Sequence, residues 1–183
     1  ANSFLATKIS FSNAIAKLSE LTGADGIKVL EGIGLDRRIG NQFLSPGAGY
    51  GGSCFPKDVK ALISIADGYG YDFSLLKAVD SLNDDTILDI VTKAKKLLDN
   101  KVKDSTIAVL GLSFKPDTDD MRDAPSIIII NELKKLGAKI KAYDPVAIDN
   151  AKKILSDIEF SADSYDVAKD ADLLVILTEW NEF

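Results

Sequence analysis

Short apolar runs alternate with helical patterns throughout the second half of this sequence, and this alternation limits the folds that the chain can adopt. Strands that alternate with helices form a parallel sheet with right-handed crossovers. We therefore predict an α/β domain over residues 102–183. Its predicted strands cover 106–110, 139–143, 158–160 and 173–177, and its predicted helices cover 126–136, 148–155 and 164–169.

The first half of the sequence instead carries apolar residues at helical spacing. The polar segment Asn100–Asp104 follows the last helical pattern, so we predict a helical domain over residues 1–101. The fold class is then a helical domain followed by a Rossmann-like parallel-sheet domain. The sequence opens within a helix and stops just after a strand, so we expect truncation at both ends. The predicted helices cover 1–22, 25–33, 56–67 and 73–98.

The residue composition excludes several classes of site. The sequence has no histidine and one cysteine, which excludes Ser-His-Asp and Cys-His mechanisms and an internal disulfide, and argues against a zinc site because one cysteine and carboxylates are poor zinc ligands. The net charge is −6, and basic patches with interleaved aromatic residues are absent, which argues against nucleic acid binding. No apolar run is long enough to cross a membrane. We therefore expect no metal, no membrane and a cytoplasmic location, since a lone cysteine fits a reducing compartment.

Residues 35–55 form a predicted loop that is long for a compact domain, and such loops are often functional. Four glycines between residues 47 and 52 allow the backbone to approach a ligand closely. Cys54 comes next, and Pro56 favours a helix start. The helix N-terminus and Lys57 would stabilise the thiolate, which is the nucleophilic form of cysteine. A single cysteine is more often an inert buried residue, but this combination favours a nucleophile.

Five motifs occur in order along the chain. The segment Gly49–Asp58 reads Gly-Tyr-Gly-Gly-Ser-Cys-Phe-Pro-Lys-Asp, and the others are Asp36–Gly40, Phe114–Arg122, Tyr143–Pro145 and Thr178–Trp180. Together they resemble the motifs of the UDP-glucose/GDP-mannose dehydrogenase family. The resemblance implies a central dimerisation and active-site domain followed by a UDP-binding domain. The stretch from Gly52 onward resembles the branch of the family that acts on UDP-glucose.

The resemblance implies an NAD-dependent oxidoreductase that oxidises the C6 alcohol of UDP-glucose to the acid, UDP-glucuronate, in two steps. Cys54 would form a thiohemiacetal with the intermediate aldehyde and then a thioester, and Asp58 would help to activate the water that releases the acid. Asn2 matches a catalytic asparagine of the family, whose companion lysine would precede Ala1. The family binds NAD mainly through an amino-terminal domain, so we expect this chain alone to be inactive.

The same resemblance assigns contacts to single residues. Lys57 and Arg122 match contacts to NAD across a domain interface. Arg38 matches an arginine that reaches the substrate of a neighbouring subunit. The apolar helix over about 73–98 predicts a homodimer as well, because it carries more apolar surface than a helix at a domain edge needs. The residues that match contacts to the UDP-sugar are Asn2, Arg38, Phe43, Leu44, Ser45, Tyr50, Gly51 and Lys115.

Three alternatives stay open at this point. The substrate could be GDP-mannose or a UDP-N-acetylhexosamine, and the chain could be a non-catalytic module for dimerisation and nucleotide binding. The segment Gly111–Lys115 lacks the glycine spacing that brings a helix N-terminus onto a pyrophosphate, so Lys115 would bind the diphosphate as a point charge. Asp144 ends the second strand, where it could hold a ribose hydroxyl or simply form a turn with Pro145.

Overall fold

The computed structural model describes all 183 residues. It divides into two compact units, residues 1–86 and residues 87–183. The helices are α1 (Asn2–Thr22), α2 (Gly26–Gly34), α3 (Phe55–Gly68), α4 (Ser74–Leu97), α5 (Pro125–Lys135), α6 (Ile148–Ala151) and α7 (Ser164–Ala168). The strands are β1 (Thr106–Leu110), β2 (Lys139–Tyr143), β3 (Glu159–Phe160) and β4 (Leu173–Ile176).

The first unit is helical, and local chemistry sets its helix boundaries. Helix α1 ends because Gly23 adopts a left-handed conformation, φ 78°, and donates its N–H to the carbonyl of Ser19. Asp25 begins α2 by accepting a hydrogen bond from the N–H of Lys28 at 3.1 Å. Cys54 directly precedes α3, and Pro56 occupies its first turn. The sequence therefore starts α3 directly after the proposed nucleophile.

The core of the first unit joins three helices to the glycine-rich loop. Ala6 on α1, Val59 on α3 and Val79 on α4 pack with Tyr50 of the loop, and all four residues are buried. Ile9, Phe55 and Ile63 pack around this cluster. Because a loop residue belongs to the core, the loop is tied to the helices by apolar burial as well as by hydrogen bonds.

The second unit contains a four-stranded parallel sheet with strand order β3-β2-β1-β4. The chain runs from β1 to β3 in one direction and then returns to place β4 on the other side of β1. The carboxyl ends of β1 and β4 therefore mark the topological switch point, where open α/β sheets bind their ligands. Residues 111–124, between β1 and α5, begin at this point.

The predicted fold class, a helical region followed by a Rossmann-like parallel sheet, is confirmed. The division into compact units falls after Thr86, within α4. It is a division by compactness and does not test the domain boundary predicted after residue 101, which stays a prediction. Helix α6 is shorter than predicted: it ends at Ala151, and Lys152–Ile154 form a turn, after which the N–H of Leu155 donates to the carbonyl of Ala151. No helix has both the length and the apolar character that crossing a bilayer requires.

Candidate active site

The glycine-rich loop that leads to Cys54 is held by two buried asparagine side chains. Asn13 on α1 accepts a hydrogen bond from the N–H of Gly47 at 2.8 Å. Asn83 on α4 accepts from the N–H of Tyr50 at 2.7 Å and donates to the carbonyl of Tyr50 at 3.2 Å. The loop therefore follows a fixed path although it contains neither helix nor strand.

Sequence reasoning missed Asn13 and Asn83, although the sequence carries a signal for Asn83. It lies four residues after Val79 and four residues before Ile87, and both of these neighbours are buried on α4. This spacing puts an asparagine on the apolar face of a helix. A buried amide needs hydrogen-bond partners, so its position indicates a contact with a backbone that helical bonds do not already satisfy.

Cys54 lies at the N-terminus of α3 and is exposed. Its carbonyl accepts the N–H of Asp58 at 2.9 Å, and its Sγ lies 3.6 Å from Oγ of Ser53. The unpaired N–H groups of the first helical turn favour negative charge at this position. The structure therefore places the one cysteine at a helix N-terminus, where a substrate can reach it.

Asp58 is one turn beyond Cys54, and two polar groups hold its carboxylate. Nδ2 of Asn2 donates to Oδ2 at 2.6 Å, and Nζ of Lys57 lies 2.9 Å from Oδ1. The Lys57 ammonium, followed by the Asn2 amide, lowers the pKa of the Asp58 carboxyl. The structure thus brings together Asn2, Lys57 and Asp58, which the sequence placed on two separate helices.

Tyr50 supports this loop from inside the unit. Its ring meets Phe55 edge-on with centroids 6.2 Å apart, and Phe55 lies 6.1 Å from Phe43. Burial, followed by the charges of Asp80 and Asp84, raises the pKa of the Tyr50 phenol. The phenol therefore stays neutral, and its buried hydroxyl has no hydrogen-bond partner. The predicted substrate contact of Tyr50 stays a prediction.

The other predicted substrate residues of the first unit differ in exposure. The guanidinium of Arg38 forms a paired contact with Asp36, at 2.6 Å between Nη2 and Oδ2, and its side chain is 89% exposed. Phe43 has a left-handed backbone, φ 61°, and the residue is 42% exposed, with its ring beside that of Phe55. Ser45 is exposed, whereas Leu44 and Gly51 are buried. Arg38, Phe43 and Ser45 are therefore accessible to a ligand.

In the second unit, Lys115 and Arg122 lie between β1 and α5, beyond the carboxyl end of β1. Nζ of Lys115 lies 5.5 Å from the ring centroid of Phe114, a distance at which the ring attracts the ammonium. Arg122 donates to both carboxylate oxygens of Asp120, at 2.9 Å from Nε and 2.6 Å from Nη2. Both cationic residues are exposed, and the Asp120 contact fixes the orientation of the Arg122 guanidinium.

Asp144 has a structural role. Its carboxylate is 0% exposed. Oδ1 accepts the N–H groups of Val146 and Ala147 at 3.0 and 2.8 Å, and Oδ2 accepts those of Leu112 and Ser113 at 2.7 and 3.2 Å. The sequence left open whether Asp144 holds a ribose hydroxyl or forms a turn with Pro145. The structure supports the turn, because both carboxylate oxygens face protein backbone and neither is accessible to a ribose.

Two sequence models from one family match this chain. The model of the central domain of the UDP-glucose/GDP-mannose dehydrogenase family matches residues 1–85, and the model of the family's UDP-binding domain matches residues 108–183. The chain belongs to the UDP-glucose/GDP-mannose dehydrogenase family. The family resemblance inferred from the five motifs is therefore confirmed, and the two matched domains occur in the predicted order.

Members of the family that resemble this chain include named dehydrogenases. The UDP-glucose 6-dehydrogenase TuaD of Bacillus subtilis is 51% identical over 100% of this chain and 40% of its own length. The UDP-glucose 6-dehydrogenase of Rhizobium meliloti is 46% identical over 100% of this chain and 42% of its own length. The chain thus spans about 40% of the length of these relatives.

Solved structures of family members share the fold. A UDP-glucose dehydrogenase from Pyrobaculum islandicum has a TM-score of 0.96 and 35% identity, covering 99% of this chain and 42% of that one. A UDP-D-ManNAc dehydrogenase from Pyrococcus horikoshii has a TM-score of 0.80 and 28% identity, covering 99% of this chain and 40% of that one. Both values show the same arrangement of helices and strands.

Proposed function

We propose that this chain is the central and UDP-binding part of an NAD-dependent enzyme that oxidises UDP-glucose to UDP-glucuronate. The observation that carries the proposal is the arrangement at the start of α3. An exposed Cys54 occupies the helix N-terminus, and one turn later Asp58 is held by Asn2 and Lys57. A nucleophile beside an oriented carboxylate is the pair that formation and hydrolysis of an acyl intermediate require.

In the proposed chemistry, Cys54 reacts with carbon C6 of the substrate sugar. NAD, when bound, supplies the hydride acceptor for both oxidations. Sγ of Cys54 adds to the C6 carbonyl of the aldehyde, which keeps the reactive carbon in place between the two oxidations. After the second oxidation C6 is bound to Sγ as a thioester. Asp58 accepts a proton from water as the water adds to C6, the C–S bond breaks, and the thiolate leaves with the bonding electron pair.

The residues present here fit only part of an NAD site. The side chains of Lys57 and Arg122 are 71% and 69% exposed, so both can contact the phosphates of a dinucleotide. Gly47, Gly49 and Gly52 have the spacing of a dinucleotide-binding motif, but no strand precedes them as it does in dinucleotide-binding folds, and Gly111–Lys115 lacks that spacing. We therefore propose that Lys57 and Arg122 make outer contacts and that the main NAD site lies outside this chain.

UDP-glucose is the favoured substrate within the family. Lys115 lies at the switch point of the sheet, where α/β proteins bind nucleotides, and its ammonium can bind a diphosphate. The relatives named UDP-glucose 6-dehydrogenase and the higher TM-score of the UDP-glucose dehydrogenase support this choice over a UDP-N-acetylhexosamine. Calorimetric titration with UDP-glucose, GDP-mannose and UDP-N-acetylmannosamine tests it, and tighter binding of either alternative would contradict it.

The purified chain is expected to bind UDP-glucose weakly but to produce no NADH. Binding should weaken as salt rises from low to physiological concentration, because diphosphate charge dominates it and salt screens charge. Lys115→Ala should reduce the affinity about tenfold, since one charged contact is lost. Lys139→Ala, at the amino end of β2, is the matched control. Titration calorimetry and NADH absorbance measure the two results, and steady NADH production by the chain would overturn the proposed location of the NAD site.

We also propose that the protein forms a homodimer through α4, the helix that the sequence predicts over about residues 73–98. On α4 the side chains of Leu76, Val79, Ile87, Val91 and Ala94 are buried within the chain, so only part of the apolar stripe is available to a partner. Leu75, Leu88 and Leu97 remain exposed on α4, and Phe4, Phe11, Leu18 and Leu21 are exposed on α1. Exposed apolar residues favour association where they form a patch on the surface.

Sedimentation velocity tests the dimer. The chain should sediment as a dimer at high concentration, and Leu88→Glu should shift it toward the monomer. Ile128→Glu, which adds the same charge to an exposed apolar position of α5, is the matched control. A wild-type chain that stays monomeric at every concentration would contradict the proposal.

The cytoplasmic location stays a prediction that rests on the lone cysteine.

A further inference from the structure

Three buried side chains hold the backbone that follows β1. The N–H groups of Leu112 and Ser113 both donate to Oδ2 of Asp144. The carbonyl of Leu112 accepts the hydroxyl of Ser126, and the carbonyl of Ser113 accepts the hydroxyl of Thr178 at 2.6 Å. All four backbone polar groups of these two residues therefore have side-chain partners.

The three side chains come from different elements, and each is almost completely buried. Asp144 follows β2 and is 0% exposed, whereas Ser126 in the first turn of α5 and Thr178 after β4 are each 2% exposed. Buried polar groups are expensive unless they are paired, so a fully paired set of this kind holds one backbone conformation. We call Asp144, Ser126 and Thr178 the loop frame.

Packing at Gly111 adds to the frame. Gly111 has φ 87°, and a Cβ at this position would lie 2.5 Å from Cβ of Thr178. A side chain cannot be accommodated there without displacing Thr178, so the close approach of β1 and the segment after β4 depends on glycine. The backbone is thus fixed on both sides of the switch point before any ligand arrives.

The frame connects directly to Lys115. The hydroxyl of Ser113 donates to the carbonyl of Lys115 at 2.9 Å, which fixes the path of the backbone two residues beyond Ser113. We propose that Asp144, Ser126 and Thr178 are positioning residues that orient Lys115 toward the diphosphate of the nucleotide. This inference rests on the proposed function, because it requires Lys115 to bind a UDP-sugar.

Asp144 thereby has a different role from the acidic residue that ends the second strand of dinucleotide-binding folds. In those folds the carboxylate binds a ribose hydroxyl. Here both carboxylate oxygens are saturated by four backbone N–H groups, two from the loop after β1 and two from the turn after β2. Asp144 acts on the nucleotide only through Lys115, and this indirect action distinguishes it from a contacting residue.

A double-mutant cycle with UDP as the titrated ligand tests the inference. Asp144→Asn replaces one acceptor oxygen by an amide donor, and Thr178→Val removes the hydroxyl while keeping the branched shape. Each is expected to weaken UDP binding about tenfold in the wild-type background, and neither should weaken it further in the Lys115→Ala background. Asp172→Asn is the matched control, because Asp172 accepts the N–H of Thr106 at 2.7 Å at the opposite end of β1.

Amide hydrogen exchange measures the frame without a ligand. The N–H groups of Leu112 and Ser113 should exchange faster in Asp144→Asn, while the amides of β1 keep their protection. If Asp144→Asn does not fold, Thr178→Val and Ser126→Ala decide the question. If the wild-type chain binds UDP and the folded loop-frame variants bind it with unchanged affinity, the inference is overturned and the proposed function is not. Absence of UDP binding by the wild-type chain would instead overturn the proposed function, and the inference with it.

Discussion

Cys54→Ser is expected to abolish oxidation to the acid in a protein of the relatives' length that contains this chain. The rate of UDP-glucuronate formation should fall at least about a thousandfold, as it does when other covalent nucleophiles are removed. A serine hydroxyl is a much weaker nucleophile near neutral pH than a cysteine thiol, so it cannot replace Sγ in forming the adduct. Chromatography of the products measures the acid, and NADH absorbance measures the number of oxidations per sugar.

The control for this substitution is Thr92→Ala, an exposed position on α4 that makes only a local hydrogen bond to Leu88. It should leave the rate unchanged. Because Cys54 is the one cysteine of the chain, alkylation by iodoacetamide reports on this thiol alone. UDP-glucose should slow the alkylation if the sugar lies against Sγ. Full conversion to the acid by Cys54→Ser would show that another group holds the aldehyde.

The fold could be predicted from the sequence because its signals are local. The helical spacing of the first half and the alternation of the second half gave elements within a few residues of their observed bounds. Helix α6 was predicted too long because Ile154 and Leu155 continue its apolar pattern, yet the chain turns after Ala151. Apolar spacing alone does not distinguish a helix from a turn that packs against the same core.

The polar supports of the candidate site could not be predicted in the same way. Asn83 and Tyr50 are far apart in the sequence, as are Thr178 and Ser113, and their hydrogen bonds exist only after the chain has folded. Sequence motifs identified the residues that present chemistry, such as Cys54 and Lys115. They did not identify the buried side chains that fix the backbone beneath them, because such a contact has no fixed sequence spacing.

The two units share one design despite their different folds. In each, a loop that presents a candidate ligand-binding or reactive group is held by buried polar side chains from neighbouring elements: Asn13 and Asn83 in the first unit, and the loop frame in the second. Fixing the backbone in advance removes a conformational entropy cost from ligand binding. We therefore expect substitutions at these supports to reduce affinity or rate without removing a direct contact.

Asp58→Asn is expected to slow release of the acid from Cys54. The rate of UDP-glucuronate formation should fall about a hundredfold or more, because a positioned general base contributes on that scale. Water then adds slowly to C6, so the sugar adduct on Cys54 should accumulate. Mass spectrometry of the intact protein detects that adduct. Asp67→Asn, at the other end of α3 beside Lys77, is the matched control. A variant that forms the acid at the normal rate without an adduct would exclude Asp58 as the base.

The pH dependence of acid formation gives an independent test of Asp58. Lys57 is the largest cause of its lowered pKa, so the carboxylate stays ionised to lower pH than usual. Only the ionised form accepts a proton from water, and the rate should therefore be lost as pH falls through this lowered pKa. Lys57→Gln removes the main cause, and the acid side of the pH–rate profile should move to higher pH. Lys60→Gln, which removes an exposed charge from the same helix, should leave the profile in place. An unmoved profile in Lys57→Gln would show that a group other than Asp58 controls the acid side.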